Sequence, residues 1–194
     1  MGSYNSKLAV QPIVIISKYS FGDTQSALES TIPPLDLTFR DYIAKGDYAG
    51  ARAALEALPP LNNFILPPRD FTGLLRAIEA SGQAIVYEIG NPLTAAMMAK
   101  YNLDITLHTP RRVLLRVEGD KVEFKFNALV PLVAQYGIPE VNAIAKTLDA
   151  KLTETLSDIA GHTASKSILI SKRKGLNLKR LFEFPSNDAP ASNN

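Results

Sequence analysis

The sequence predicts an α+β domain, a mostly antiparallel sheet packed on one face by a long C-terminal helix. Three observations carry this. Val113–Glu118 and Lys121–Phe126 read as two arms of a hairpin around Gly119-Asp120. Ile85, Tyr87 and Ile89 alternate with Ala84, Val86 and Glu88, the period-two pattern of a further strand. Val141, Ile144, Ala145, Leu148, Leu152, Leu156 and Ile159 step by three and four after Pro139, the stripe of an amphipathic helix, with Gly161 as its C′ residue.

Each element follows in order. Residues 1–7 read as a loose leader, and Leu8–Ser20 holds the first strand through Val10 and Ile13–Ile16. Asp23 or Thr24 can cap a helix carrying Ala27, Leu28 and Ile32, which Pro33-Pro34 stops. Two short helices are expected near Thr38–Lys45 and Asp47–Leu58. The second contains "GDYAGARAALEAL", similar to one helix of a tetratricopeptide repeat. No second copy follows at the spacing of about 34 residues that an array needs, so this is read as an inserted helical element, a lid or an oligomer contact. Asn63–Leu66 reads as a short strand, and Leu74, Leu75 and Ile78 mark a helix closed by Ser81-Gly82. After the Ile85–Ile89 strand, Asn91 is a favoured N-cap and Pro92 sits at N1, where a missing N–H costs nothing. The helix that follows, Leu93–Tyr101, holds Met97 and Met98, which are expected to fill core gaps.

The hairpin register is expected from its two-residue loop. Gly at the first central position suits a type II′ turn, which sets Val117 opposite Val122 and Leu115 opposite Phe124, continuing to Val113 with Phe126. On the other face Glu118 meets Lys121 and Arg116 meets Glu123. A one-residue slip would lose the apolar face and the charge pairs together.

Composition narrows the function classes. A chain of 194 residues, 46% hydrophobic and 21% charged, can bury a real core. There is no cysteine, so disulfides, thiolate catalysis and Cys-based metal sites are excluded, and a cytoplasmic setting is expected. The four-residue apolar run Ile13–Ile16 is too short for a secretory signal. Charge is uneven: residues 166–184 carry six basic residues and one acidic, against 15 basic and 18 acidic in the remainder. The expected organisation is a single domain over residues 8–161 with a helical insert at 35–61, a basic extension at 162–184 and a disordered tail at 185–194.

The ordered features also resemble a known family. "YEIGNP", a short helix, then "HTPRRVLLRVEGDKVEFKFN" is similar to the domain of unknown function 302. Phe21, Thr24 and Leu28 resemble that family's first strand-to-helix junction, and the resemblance runs from about Val10 to Ile159, interrupted at 35–61. It implies a TATA-binding-protein-like or helix-grip-like fold, a sheet gripping a C-terminal helix with a cavity between them. It implies no nucleic-acid binding, since function lies in sites and not in folds. Asn127 resembles the polar residue that closes the family's last strand, but Ala128 stands where the family has Pro.

Candidate chemistry is sparse. The two histidines, His108 and His162, form no metal motif, and there is no G-x-S-x-G elbow, P-loop or G-x-G-x-x-G. One constellation remains. His108, Arg111 and Arg112 flank Pro110 before a core strand, and Tyr87, Glu88 and Asn91 end another. If those ends converge, His108 and Glu88 have the chemistry for acid–base catalysis, and Arg111, Arg112, Tyr87, Asn91 and Asn127 for holding a ligand. Plainer readings stand beside these: Asn91 a cap, Arg111 and Arg112 a solvated strand entry, His108 a surface residue, Glu88 an outward strand residue. The start, Met1-Gly2-Ser3-Tyr4-Asn5-Ser6, matches the pattern for N-myristoylation at Gly2, and the basic run could add a second membrane signal.

The leading expectation is a small-molecule-binding domain for an apolar or weakly anionic ligand held between sheet and helix. The alternatives are a metal-independent enzyme using His108 and Glu88, and a peripheral protein held at an anionic membrane surface by its ends. No metal, cofactor or nucleic acid is expected, and a homodimer is.

Overall fold

A computed structural model describes residues 12–162. The elements run β1 (Pro12–Ile16), α1 (Phe21–Thr31), α2 (Phe39–Ala44), α3 (Tyr48–Glu56), β2 (Asn62–Asn63), β3 (Arg69–Asp70), α4 (Phe71–Ala77), β4 (Ala84–Gly90), α5 (Pro92–Ala99), a 3-10 helix (Leu103–His108), β5 (Arg111–Glu118), β6 (Lys121–Asn127), α6 (Leu129–Ala134) and α7 (Pro139–Ile159). The six strands form one antiparallel sheet in the order β1-β6-β5-β4-β2, with β3 also paired to β4. This is the α+β architecture expected from the sequence.

The β5–β6 hairpin has the expected register: Leu115 faces Phe124, Arg116 faces Glu123, Val117 faces Val122 and Glu118 faces Lys121. Gly119 has a φ of +63° and Asp120 is not in the positive region, as a type II′ turn requires. Arg116 Nε lies 2.9 Å from Glu123 Oε1, closing the outer-face charge pair. On the inner face Leu115, Phe124 and Val113 are fully buried.

Two helices cover that inner face. Leu28 and Ile32 at the end of α1 and Leu152, Leu156 and Ile159 of α7 pack against Ile85, Tyr87, Ile89, Val113, Leu115, Phe124 and Phe126. A second, smaller core joins Met98 of α5, Ile105 of the 3-10 helix, Leu129 and Val133 of α6, and Val141 and Ala145 of α7. One helix, α7, thus serves both cores, its N-terminal half one and its C-terminal half the other. It ends in a Schellman motif: Gly161 N–H donates to Asp158 O at 3.0 Å and His162 N–H to Ser157 O at 2.8 Å, with Gly161 at φ +82°.

Several boundaries differ from the expectation. β1 is five residues, Pro12–Ile16, and residues 8–11 lie outside the described part. Helix α1 starts at Phe21, because Ser20 rather than Asp23 or Thr24 is its N-cap. Ser20 Oγ accepts from the Asp23 N–H at 3.2 Å and donates to Asp23 Oδ2 at 2.6 Å. The strand expected at Asn63–Leu66 is divided. Asn62 and Asn63 pair with Gly90 and Ile89, Phe64 N–H reaches Glu88 O at 2.7 Å, and pairing then stops until Arg69. Pro67 and Pro68 have no N–H to give the ladder. Helix α4 forms where Leu74, Leu75 and Ile78 placed it, but none of its residues is buried. The two helices of the 35–61 segment are present as α2 and α3, and Ala51 is their one buried residue. Helix α6 has no counterpart in the sequence reading.

Candidate functional site

The two cores do not close completely against each other. Between them lies a cavity of about 230 Å³. Ile89 and Arg111 form its sheet wall, Leu148 and Leu152 its α7 wall, and Ala95 and Met98 its α5 wall. Leu61 and Phe64, from the connection into and beyond β2, close another side, and Pro110 sits at the entry to β5. Local sequence places these walls. Gly90-Asn91-Pro92 turns β4 into α5: Asn91 Oδ1 accepts from the Thr94 N–H at 3.0 Å and Pro92 occupies N1. The Asn91 Nδ2 donates to Pro59 O at 3.0 Å, which ties the end of the α2–α3 segment to the start of α5.

Arg111 is the ionisable residue of the cavity wall. It is the first residue of β5, faces inward beside Ile89, and is 7% exposed. Its Nη1 lies 2.8 Å from Asp149 Oδ1 and 3.4 Å from Leu148 O, and its Nη2 donates to Asn127 O at 3.1 Å. The guanidinium carbon lies 5.2 Å from the centre of the Phe126 ring, a cation–π contact. Among the described residues no acceptor reaches the buried Nε–H. Burial pushes the Arg111 pKa down, and the Asp149 carboxylate opposes that shift. Asp149 itself is held by three further contacts: Leu129 N–H at 2.8 and 3.0 Å to its two oxygens, and Val130 N–H at 3.0 Å. These are the first N–H groups of α6, whose N-cap, Ala128, has no side chain able to accept them.

The remaining candidates fall elsewhere. Asn91 lines the cavity, with both ends of its side chain engaged in the α5 cap and Pro59. Asn127 meets Arg111 through its carbonyl alone, so the identity of its side chain plays no part in that contact. Tyr87 is fully buried on the inner face and donates to Glu29 Oε1 at 2.8 Å; burial pushes its pKa well above the ordinary value, and Glu29 adds to the shift. Glu88 and Arg112 lie on the opposite, outer face. Glu88 Oε1 is 2.5 Å from Arg69 Nη2 and 3.9 Å from Arg112 Nε, and the Arg112 side chain is 76% exposed. His108 ends the 3-10 helix, with Nε2 3.1 Å from Tyr136 Oη. The strand ends therefore bring Arg111 and Asn91 to one cavity, while Glu88 and Arg112 share the other face of the sheet and His108 lies against the α6–α7 connection. Asp149 was not among the sequence candidates. Gly2 and the basic run at 166–184 lie outside the described residues.

Among the described residues no cluster of His, Asp or Glu could hold a metal ion, and no helix is long and apolar enough to cross a membrane. Residues 69–159, from β3 through the end of α7, match the family described as Domain of unknown function DUF302. This part of the chain is a DUF302 domain. The match takes in β4, α5, the hairpin and α7, and therefore most of the cavity wall, including Arg111, together with its partner Asp149. The chain is also similar to the crystal structure of the uncharacterized conserved protein DUF302 from Bacillus stearothermophilus. The TM-score is 0.56 at 16% identity, over 77% of this chain and 97% of that one. At that identity the likeness concerns the fold. Among curated proteins nothing matches the chain.

Proposed function

We propose that this DUF302 domain binds a small, mostly apolar molecule in the cavity between β4, β5, α5 and α7. The observation that carries the reading is the composition of the wall: mostly aliphatic and aromatic side chains, with Asn91, Thr109 and one charged residue, Arg111. Ligand sites commonly take this form, a concave apolar surface with a few placed polar groups. The volume is informative. An apolar protein cavity of about 150 Å³ holds benzene, so about 230 Å³ suits a compound somewhat larger. Binding is favoured over catalysis by what the wall lacks. Acid–base chemistry needs a group that exchanges protons near neutral pH, and an arginine does not. His108 and Glu88, the residues with that chemistry, are not part of the wall.

Native mass spectrometry of the protein purified from its own cells tests the reading. A retained small molecule is expected in the wild type and absent from Ala95→Phe, which places a ring in the cavity from α5. If the wild type retains nothing, and a library of apolar fragments of about eight to ten heavy atoms gives no binder, the reading fails.

A further inference from the structure

We propose that the free edge of β1 is the contact surface for a second copy of this chain, the two β1 strands pairing antiparallel about a two-fold axis at Val14. Among the described residues β1 has one neighbour in the sheet, β6, and no strand on its other side. Ser17 N–H donates to Val122 O at 2.7 Å. Pairing alternates along an antiparallel ladder, so Ile13 and Ile15 also turn their N–H and C=O groups to β6. The backbone groups of Pro12, Val14 and Ile16 therefore point outward. Native proteins guard such an edge with charge, a bulge or a covering element. The strand Pro-Ile-Val-Ile-Ile carries no charge, and its outer-face side chains Val14 and Ile16 are 45% and 44% exposed.

The outward groups are self-complementary. Proline has no N–H, so the donors are Val14 and Ile16. The carbonyls are those of Pro12, Val14 and Ile16, and Ile16 O is already engaged by His162 Nε2 at 2.5 Å. A carbonyl only accepts, so that ring nitrogen carries the proton. A donor pair and an acceptor pair remain. A two-fold axis at Val14 sets this residue opposite its counterpart and Ile16 opposite the partner's Pro12. Val14 N–H then donates to Val14 O of the partner subunit, and Ile16 N–H to Pro12 O of the partner subunit. Symmetry doubles both bonds. Across the seam from Ile16 O stands the partner's Pro12, which has no N–H to give, and His162 supplies the donor instead. That match selects a second copy over an unrelated strand, which would bring an N–H to a carbonyl already served. The side chains agree with it. On the outer face Val14 meets its counterpart and Ile16 meets the partner's Pro12, so apolar surface covers apolar surface. The end of α7 limits the seam, since Lys18 N–H, the next outward donor, is taken by Ala160 O at 3.0 Å.

The chain has no cysteine, so a single introduced thiol reports the register. Opposed residues of a hydrogen-bonded antiparallel pair have Cα atoms about 5.5 Å apart, within disulfide reach. Val14→Cys should therefore cross-link to itself under mild oxidation of the full-length protein. Ile16→Cys would lie about 14 Å from its counterpart and should not. Sedimentation of the wild type from about 1 μM to 1 mM should show a monomer–dimer equilibrium, because so short a seam dissociates on dilution. Val14→Pro deletes the central outward N–H and leaves the β6 ladder intact. It should fold and raise the dissociation constant about tenfold or more. Should it not fold, the cross-linking pair decides. A wild type that is monomeric across that range overturns the proposal, as does a folded Val14→Pro that dimerises as tightly as wild type. Cross-linking of Ile16→Cys as readily as Val14→Cys, or of neither, overturns it too.

Discussion

Arg111 Nη1 and Asp149 Oδ1 lie 2.8 Å apart, joining the first residue of β5 to the middle of α7. The pair does more than neutralise a charge. Asp149 also holds the N–H groups that open α6, so strand, long helix and short helix meet at one carboxylate. The cavity lies against this junction, with Leu148 from the same turn of α7 and Leu129 from α6 in its wall.

Breaking that junction should be expensive. Asp149→Ala leaves a guanidinium buried without its partner and two α6 N–H groups without theirs. The cost is expected at about 3–5 kcal/mol, the range for removing one partner of a buried pair. Asp149→Asn keeps an acceptor for the helix and loses only the charge, so it should fall between wild type and Asp149→Ala. Chemical denaturation gives both values. A cost below about 1 kcal/mol for the alanine variant would show that water reaches Arg111 freely.

The α5 cap carries a smaller and more local prediction. Asn91 accepts from Thr94 N–H and donates to Pro59 O, so Asn91→Ala removes an N-cap and a tether at once. The expected loss is about 1 kcal/mol for the cap, with a modest addition from the tether. Asn91→Asp keeps the cap and loses the tether, so the difference between the two variants measures the cap. Equal stability of Asn91→Ala and wild type, by thermal or urea melting, would contradict the capping role.

These residues also show what could be read in the chain. The hairpin was legible because loop length, apolar alternation and charge pairing all constrain one register, and they agree. Asn91-Pro92 was legible because a cap and an N1 proline are local signals. The Arg111–Asp149 contact is neither local nor periodic. One sign of it is visible in retrospect. The apolar stripe of α7 runs through Ala145, Leu148 and Leu152, and Asp149 stands four residues after Ala145 and three before Leu152, on the same side of the helix. A carboxylate on the inward stripe of a helix calls for a buried partner. Helix α6 was invisible for the same reason: its N-cap chemistry comes from α7, not from its own sequence. The placement of Glu88 and Arg112 on the outer face follows from strand alternation, since Tyr87 and Arg111 occupy the inner one.

Separation of the two faces gives a prediction about binding. Glu88→Gln and His108→Ala alter residues outside the cavity wall, so the affinity of an apolar fragment bound in the cavity should stay within about twofold of wild type for both. Each should cost less than about 1 kcal/mol of stability, because the Glu88 contacts are partly exposed and His108 makes a single hydrogen bond to Tyr136. Isothermal titration of the two variants checks this. A tenfold loss in His108→Ala would move the site toward the 3-10 helix and reopen a role for its imidazole.

Alkaline stability should depend on Tyr87. Its hydroxyl donates to Glu29, and burial raises its pKa above the ordinary value of 10.0, with Glu29 adding to the effect. In the unfolded chain the phenol ionises near its ordinary value. Below about pH 10 both states keep the proton and the contribution of Tyr87 is fully present. Above that the unfolded chain releases its proton while the folded one retains it, so the unfolded state gains and stability falls as pH rises. Tyr87→Phe removes the titrating group. At neutral pH it should cost about 0.5–1.5 kcal/mol for the lost hydrogen bond, because Glu29 is exposed and water can take its place. Above about pH 10 the variant should lose stability less steeply than wild type, and the two curves should converge. Urea denaturation at several pH values between about 7 and 11 measures both slopes. Parallel curves across that range would mean that Tyr87 ionises in the folded protein as readily as in the unfolded chain, and that its contact with Glu29 does not hold in solution.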